Sequence, residues 1–424
     1  MHVVQQGENG TPTTRTSTLA SQAEFDTLVP DYRRVGRTER GVCTVPQRKR
    51  ATKDQALTAS VALDSRLCHT LVADALKQMD VELLEVRSVR FLSSHPWASG
   101  KRLRPMTFLL SNLALRLDRG RATNVNGRES RLASAIELFH EASLVHDDLV
   151  DRAQMRRGTP TIQMSGGEGL ALLVGDYLIF RGLKLVLDAA QTTDDIRLAR
   201  EMADTGLSIA RGEAEQLDRY LSRFESPDRA TMPAYIDLIA KKTAGFFAGC
   251  AEAGAAMGGA DAATRVIFRE FGMHMGIAFQ MVDDVLDVAG DLEAAQKTLR
   301  SNVDEGTITL PMIHALALHS GNRELKALVA GRTLSAKARQ RVARLLARAD
   351  VLRACDTTIE QYVAKAKGWL AKAPLNIYRL GLEDLLDYVQ MCPWGNIFPL
   401  AREGRPHSAD GASRDRSSKS AGHS

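Results

Sequence analysis

Long hydrophobic runs, aromatic residues and paired cysteines are all scarce in this chain of 424 residues. It contains no stretch of about 18 uncharged apolar residues, so we expect no membrane-spanning helix. Aromatic residues make up only 5% of the chain, and Ala and Leu dominate its middle. Because aromatic and β-branched residues favour strands whereas Ala and Leu favour helices, the composition predicts an all-α fold.

The five cysteines show none of the paired spacings of metal or redox motifs, which favours a reducing compartment. They are Cys43, Cys68, Cys250, Cys355 and Cys392. The first ten residues lack the basic start and apolar run of a secretory signal, so we expect a soluble, cytoplasmic protein. A transit peptide is the alternative, because residues 11–50 are rich in Thr, Ser and Arg, although acidic residues in that range count against it.

A net charge of one sign is missing from the body of the chain. Residues 1–56 carry nine Lys or Arg and six Asp or Glu, residues 401–424 carry five and three, and these two segments account for the whole formal charge of +5. The notable basic cluster, residues 48–50, is typical of a solvated arm, with a partner-binding patch as the alternative. We expect no nucleic-acid partner.

Three regions follow from the apolar pattern. Residues 1–56 and 391–424 lack an apolar period, which predicts a disordered N-terminal arm and a disordered C-terminal tail. Residues 57–390 form the predicted helical body, because apolar residues recur there at helical spacing, as at Leu132, Ile136 and Phe139. Runs with strand-like alternation are scarce.

Two acidic segments share one spacing. They are Asp147, Asp148 and Asp151, and Asp283, Asp284 and Asp287. On a helix, the first and last members of each segment project from one face. Adjacent carboxylates need a compensating cation, and oxygen ligands without His or Cys select Mg²⁺. One such cluster is also typical of a solvated helix end, but two predict a shared site that holds Mg²⁺ around a diphosphate.

Positive side chains accompany the acidic segments along the chain. They are Lys101, Arg102, Arg104, Arg156, Arg157 and Lys242. Arginine offers phosphate a bidentate fork, and lysine offers it a point charge. Each basic cluster alone is typical of a solvated surface, whereas their order relative to the acidic segments favours a polyanionic substrate.

Together these motifs resemble the trans-isoprenyl diphosphate synthases, or polyprenyl synthetases, over about residues 60–390. The matching positions are Gly100–Pro105, His140, Asp147–Asp151, Arg156–Gly158, Lys242–Thr243, Phe279–Gln280 and Asp283–Asp287, with landmarks at Gly175–Leu178, Gly212, Glu213, Gln216 and Thr309–Pro311. The resemblance implies a single bundle of more than ten helices around a deep central cavity. It also implies a homodimer that joins an allylic diphosphate to isopentenyl diphosphate.

The resemblance implies a role for each site residue. The isopentenyl diphosphate would contact Lys101, Arg104, His140 and Arg157, and the allylic diphosphate would contact Arg156, Lys242 and Mg²⁺. Direct metal ligands would be Asp147, Asp151 and Asp283, whereas Asp148, Asp284 and Asp287 would ligate the metal or orient water. Oxygen dipoles of Thr243 and Gln280 would stabilise an allylic cation, although Thr243 could instead bond to its own backbone.

The stretch after the second acidic segment departs from the family pattern. Lys297 keeps the place of a diphosphate-binding lysine, but Gln296 precedes it where the family has Gly. Arg300 and Asn302 stand where Gly and Asp are expected, and Thr307 replaces a second Lys. Loss of that cation would weaken substrate binding unless Arg300 compensates.

Product length, by the same resemblance, is set about one helical turn before Asp147. Ala142 and Ser143 are small there, which favours a long product, unless another side chain closes the pocket. The candidates for that are Phe139, Phe180, Phe246 and Phe247. A long product is strongly apolar, so we expect transient membrane contact for its release.

Three alternatives remain open at this point. A short-chain farnesyl or geranylgeranyl synthase would share every motif. A weakly active regulatory subunit of a heteromeric synthase would account for the altered stretch from Gln296 to Thr307. A class I terpene cyclase would share the first acidic segment, but it would use a different second metal site and no isopentenyl site.

Overall fold

A computed structural model describes residues 67–87, 101–125, 127–156, 159–190, 231–289, 308–330 and 334–391, together with Arg332 and scattered residues between 200 and 215. Helices dominate these ranges, which confirms the predicted all-α fold. The predicted N-terminal arm lies outside them, as does the predicted tail apart from its first residue. The central cavity stays a prediction.

More than ten helices occupy the described ranges, as expected. In chain order they are α1 (Leu67–Leu71), α2 (Ala73–Arg87), α3 (Leu103–Asp118), α4 (Gly127–Val150), α5 (Ile162–Gly166), α6 (Glu168–Ala189), α7 (Met232–Ile239), a π-helical turn (Ala240–Ala244), α8 (Gly245–Met257), α9 (Ala262–Ala289), α10 (Leu310–Leu318), α11 (Arg323–Val329), α12 (Ala336–Leu346), α13 (Ala349–Leu370) and α14 (Ile377–Met391). A short hairpin pairs β1 (Met155–Arg156) with β2 (Thr159–Pro160) in antiparallel fashion.

Helix α9 runs through the middle of the bundle. It is 28 residues long and packs against α8, α13 and the π-helical turn. Its apolar side chains, such as Phe268 and Phe271, are fully buried. At Gly276 a Cβ would lie only 2.6 Å from the Cα of Ala244. Glycine therefore lets α9 approach the backbone of the π-helical turn closely.

Helix α4 packs mainly against α6, and the predicted apolar period is confirmed because Leu132 and Ile136 are buried in that half of the bundle. The imidazole of His146 on α4 occupies the space where any side chain at position 175 would stand. Any larger residue at position 175 would force this imidazole to move, which gives a physical reason for Gly175. Helix α3 contacts both α4 and α8, and α8 contacts α9, so α3 and α8 connect the two helices that carry the acidic segments.

None of the helices in the described ranges combines the length and the apolar composition that crossing a membrane requires. Three of the five cysteines lie in these ranges, and all three are buried free thiols: Cys68, Cys250 and Cys355.

Candidate active site

Arg104, in the first turn of α3, occupies an aromatic pocket. Its guanidinium carbon lies 4.5 Å from the ring centre of Phe247, 5.3 Å from that of Phe246 and 6.0 Å from that of Phe279. Its buried Nε has no hydrogen-bond partner among the described residues. A buried cation with an unused donor favours an anionic ligand, because burial without a partner is costly.

Charges on both acidic helices act on Arg104. Burial lowers its pKa, whereas Glu137 and Glu141 on α4 and Asp283 on α9 raise it. Its Nη1 also lies 3.3 Å from Nε2 of His140. Since an arginine can only donate, His140 accepts at that nitrogen in its neutral form. Two residues predicted for one diphosphate subsite are therefore adjacent, between the helices of the two acidic segments.

Lys101 and Arg102 directly precede α3. Arg102 has a left-handed backbone, with φ of 54°, and its guanidinium pairs with the buried carboxylate of Glu137 at 2.8 Å. Such a backbone is uncommon outside glycine, and it persists where surrounding contacts hold it. The ammonium group of Lys101 lies 5.6 Å from the ring centre of Tyr388. Burial raises the pKa of Asp283 to about 6, and the Lys101 and Arg104 charges oppose that rise.

The first acidic segment spans the end of α4. The helix ends at Val150, but the N–H of Asp151 still donates to the carbonyl of Asp147 at 2.8 Å, so the predicted four-residue spacing is kept. Asp148 is only 4% exposed, and the Nε of Arg156 lies 2.8 Å from each of its carboxylate oxygens. Burial lowers the pKa of Arg156, but the Asp148 carboxylate and the Asp147 charge raise it overall.

The second acidic segment lies within α9, and Asp284 is its buried member, at 6% exposure. Three groups from three elements donate to its carboxylate: the hydroxyl of Tyr235 on α7 at 2.7 Å, Nε2 of Gln280 at 3.0 Å and the N–H of Leu310 at the start of α10 at 3.0 Å. Burial raises the pKa of Asp284, and these hydrogen bonds oppose the rise. Asp283 and Asp287, four residues apart, share a different face of the helix.

Thr243 continues this hydrogen-bonded chain. Its hydroxyl donates to Oε1 of Gln280 at 2.8 Å, rather than to its own backbone. Thr243 and Lys242 lie in the π-helical turn, a rare geometry that is frequent at functional sites. Gly212 packs on this turn, and a Cβ there would lie 3.3 Å from the backbone nitrogen of Lys242. That contact gives a physical reason for the glycine at this landmark.

The two residues predicted to set product length differ in their surroundings. Ala142 is buried in the core, whereas Ser143 is partly exposed and donates its hydroxyl to the carbonyl of His140 at 2.8 Å. Among the alternative closing residues, Phe247 lies beside Arg104 and is fully buried. Phe180 is 67% exposed on the outer face of α6, so it does not close an interior pocket of this chain.

The acidic residues provide the donor chemistry of a hard divalent cation, because their ligand atoms are all carboxylate oxygens. The raised pKa of Asp283 marks a carboxylate whose charge a nearby cation would stabilise. Within the described ranges, no three His, Cys, Asp or Glu side chains form a complete metal site. The residues therefore fit Mg²⁺ only if water or substrate oxygens complete its coordination, which is the usual habit of that ion.

Some predicted site residues lie outside the described ranges, and some residues that the structure places at the site were not predicted from the sequence. Arg157 and Lys297, with the departures at positions 296–307, fall outside the described residues. Tyr235 was not predicted, because nothing local reveals that it contacts a residue 49 positions away. Glu137 and Glu141 were also not predicted, although acidic residues four apart on a buried helix face were a readable signal.

Comparison with known proteins places these features in context. A family model described as "Polyprenyl synthetase" matches residues 89–347. Heptaprenyl diphosphate synthase component 2 of Geobacillus stearothermophilus is 34% identical over 295 residues, covering 69% of this chain and 86% of that protein. A short chain isoprenyl diphosphate synthase of Methanothermobacter thermautotrophicus is 35% identical over 219 residues, covering 52% of this chain and 64% of that protein.

A solved structure shares the fold. Polyprenyl synthase from Caulobacter crescentus CB15, complexed with calcium and isoprenyl diphosphate, superposes with a TM-score of 0.66 at 28% identity. The match covers 81% of this chain and 99% of that one.

We expect Tyr235→Phe to weaken the Mg²⁺-dependent binding of inorganic pyrophosphate by about tenfold, because it removes one of the donors that hold Asp284. Titration calorimetry measures the affinity. Tyr378→Phe, which alters an equally buried phenol on α14, is the matched control and should leave the affinity unchanged.

Asp284→Asn should weaken the same pyrophosphate binding only slightly, because the Gln280 amide can turn over to accept from the new side chain. Weakening as severe as that of Asp283→Asn would instead identify Asp284 as a direct metal ligand.

Proposed function

Because the chain belongs to the polyprenyl synthetase family and is a prenyltransferase that makes polyprenyl diphosphates, we propose that it adds isopentenyl diphosphate to an allylic diphosphate in a Mg²⁺-dependent reaction that yields a long linear trans product. The position of Arg104 carries this proposal, since the buried cation lies within electrostatic reach of both acidic helices. A site of that kind brings two diphosphates close together, as a condensation requires.

Each of the two diphosphates binds to its own group of basic side chains. Lys101, Arg104 and His140 bind isopentenyl diphosphate, and their support is that Arg104 contacts His140 while Lys101 and Arg104 both act on Asp283. Arg156 and Lys242 bind the allylic diphosphate. Arg156 is held in place by Asp148, so its orientation is set before substrate arrives. Arg157 joins the isopentenyl group, and Lys297 is a further diphosphate-binding cation.

The reaction forms one carbon–carbon bond. The alkene of isopentenyl diphosphate attacks the allylic carbon, and the bond from that carbon to its diphosphate oxygen breaks. The added isopentenyl unit then loses a proton from carbon to the departing diphosphate, and the electrons of that carbon–hydrogen bond form a new double bond. When bound, Mg²⁺ would neutralise the negative charge that develops on the departing diphosphate. Asp147, Asp151, Asp283 and Asp287 hold the metal, whereas Asp148 and Asp284 keep the cations and helices around them in position.

Thr243 and Gln280 stabilise positive charge on the allylic fragment. The hydroxyl proton of Thr243 is used in the hydrogen bond to Gln280, which leaves the lone pairs of its oxygen for a cation. The amide of Gln280 is fixed at both ends, by Thr243 and by Asp284. A preoriented dipole stabilises a developing charge without reorganisation at the moment of reaction.

Product length is set beside Ser143, with Ala142 behind it in the core. Ser143 is small, partly exposed and on the helix face of His140 and Asp147, which supports a long product. A short-chain synthase is the alternative, and one of the similar proteins is described as such.

A second candidate function is a subunit of a heteromeric synthase. The observation that favours it is the similarity to a protein named component 2 of heptaprenyl diphosphate synthase. The chain would then require a second, different subunit for turnover. The altered stretch from Gln296 to Thr307 is consistent with that requirement.

A homodimer formed through α6 is also part of the proposal. One face of α6 packs on α4, while the other presents exposed apolar side chains: Leu172, Leu173, Ile179, Phe180, Leu183 and Leu187. Their spacing follows a helical stripe, which is the pattern of a helix covered on two sides. A second copy of the chain supplies such a cover with two-fold symmetry.

The primary test is incubation of the purified chain with Mg²⁺, labelled isopentenyl diphosphate and each of dimethylallyl, geranyl, farnesyl and geranylgeranyl diphosphate. We expect products longer than geranylgeranyl, resolved by chain length after dephosphorylation. Asp147→Ala should reduce turnover by about a hundredfold or more. Asp74→Ala, which removes an exposed carboxylate on α2, should leave turnover unchanged. Products that stop at geranylgeranyl or shorter identify a short-chain enzyme. No product with any primer favours the heteromeric subunit.

Ser143→Phe should shorten the product while leaving the first addition of isopentenyl diphosphate intact, because a bulky ring at this position blocks the growing chain. Ser143→Ala is the matched control, and its product should keep the wild-type length. Chain lengths are compared by chromatography of the dephosphorylated products. An unchanged length in Ser143→Phe would move the limiting position to another helix.

Phe180→Glu combined with Leu173→Glu should convert the protein to a monomer, because two charges would be buried in the proposed dimer interface. Leu375→Glu, at an equally exposed apolar residue away from α6, should leave a dimer. Sedimentation velocity gives the mass of each variant. A dimer that survives the double substitution would exclude α6 as the interface.

A further inference from the structure

A basic surface covers α11 and α12. Of the nine charged residues between positions 323 and 348, eight are Lys or Arg and one is Glu. This basic surface consists of seven exposed cations on the two helices, between them and directly after α12: Arg323, Lys326, Arg332, Lys337, Arg341, Arg344 and Arg348. Because residues 57–400 are neutral as a whole, the rest of that range carries an excess of seven acidic charges. Charge is therefore strongly segregated within a body whose total is zero.

The geometry of the two helices explains why the linear sequence hides this surface. Lys337, Arg341 and Arg344 are spaced four and three residues apart, so they form one stripe along α12, opposite the buried side chains of Val342 and Leu346. Helix α11 contacts α12, and its Glu324 pairs with Arg341. The outward faces of both helices are thereby brought together.

Most of this charge is not neutralised by the residues that the structure describes. Arg341 pairs with Glu324, and Arg348 pairs with Asp350 at 3.1 Å. Arg323, Lys326, Lys337 and Arg344 have no carboxylate partner among the described residues. A concentration of exposed cations without counter-charges attracts anionic surfaces, and screening by salt weakens the attraction.

The composition of the surface indicates which anionic partner it fits. Among the described residues, the exposed large apolar side chains lie elsewhere in the fold, and none falls between positions 323 and 348. Protein partners usually engage aromatic or apolar anchors, and single-stranded nucleic acids stack on aromatic rings. Anionic lipid headgroups, in contrast, are attracted by Lys and Arg alone.

We propose that this basic surface docks the enzyme reversibly on anionic lipid headgroups. The choice of a lipid partner rests in part on the proposed function, since a long apolar product must leave the enzyme for a membrane. The acid-rich remainder of the body is repelled by the same membrane, so that the protein approaches it with α11 and α12 foremost. Without an apolar wedge, the attachment is electrostatic and sensitive to salt.

Vesicle flotation of the full chain tests the proposal without any substrate. We expect binding to vesicles with about 30% anionic lipid at about 0.05 M salt, none to neutral vesicles, and release at about 0.5 M salt. Lys337→Gln combined with Arg344→Gln removes two cations and breaks no ion pair, so binding should fall about 25-fold, or about fivefold per charge. Lys77→Gln combined with Arg269→Gln removes two exposed cations elsewhere and should have little effect.

Three results would overturn the proposal. The first is a wild-type chain that does not float with anionic vesicles. The second is equal loss of binding in both double variants, which would assign the effect to total charge or to the basic termini. The third is a Lys337→Gln, Arg344→Gln variant that keeps its vesicle binding but loses affinity for a nucleic-acid duplex. Since none of these measurements involves turnover, they are independent of whether the condensation assay succeeds.

Discussion

The need to neutralise buried charge determines how α3, α4 and α9 are arranged around the candidate site. Arg104 stands among three phenylalanine rings, where an isolated cation would be costly. Carboxylates on α4 and α9 offset that cost from two sides. The pair between Arg102 and Glu137 ties the start of α3 to α4 in the same way. The helices around the candidate site are therefore positioned by pairs of opposite, largely buried charges.

The two acidic segments show the same division of labour. In each, the second aspartate is turned inward and held by strong donors: Asp148 by Arg156, and Asp284 by Tyr235 together with Gln280 and Leu310. The first and last aspartates of each segment are less buried. The repeated motif thus combines one buried, anchored carboxylate with two that are more exposed. An anchored carboxylate also restricts the rotation of its helix, which keeps its neighbours aimed at the site.

The all-α fold and the helix faces of the two acidic segments could be predicted from the sequence because both rest on local patterns, whereas the roles of the site residues stay predictions. Helical periodicity at Leu132 and Ile136 predicted α4 correctly, and the spacing of the aspartates predicted shared helix faces. Contacts between distant segments could not be predicted in this way. The Tyr235 hydroxyl meets Asp284 only after α7 and α9 pack together. Cations spaced at helical intervals, such as Lys337 and Arg344, likewise look unremarkable until the helix places them on one side.

The π-helical turn gives the chain from α7 to α8 a fixed register. One residue more than an α-helix needs is accommodated between Ala240 and Ala244, and the helical path continues on both sides. Removing one residue there would restore regular α-helical winding and leave α7 and α8 in nearly the same relative orientation, because only the bulge holds the extra residue. Tyr235 and Phe247 would still face Asp284 and Arg104, but the backbone around Thr243, which donates to Gln280, would be rewound. A single-residue deletion in this turn should therefore disturb the Thr243–Gln280 pair more than the packing of the bundle.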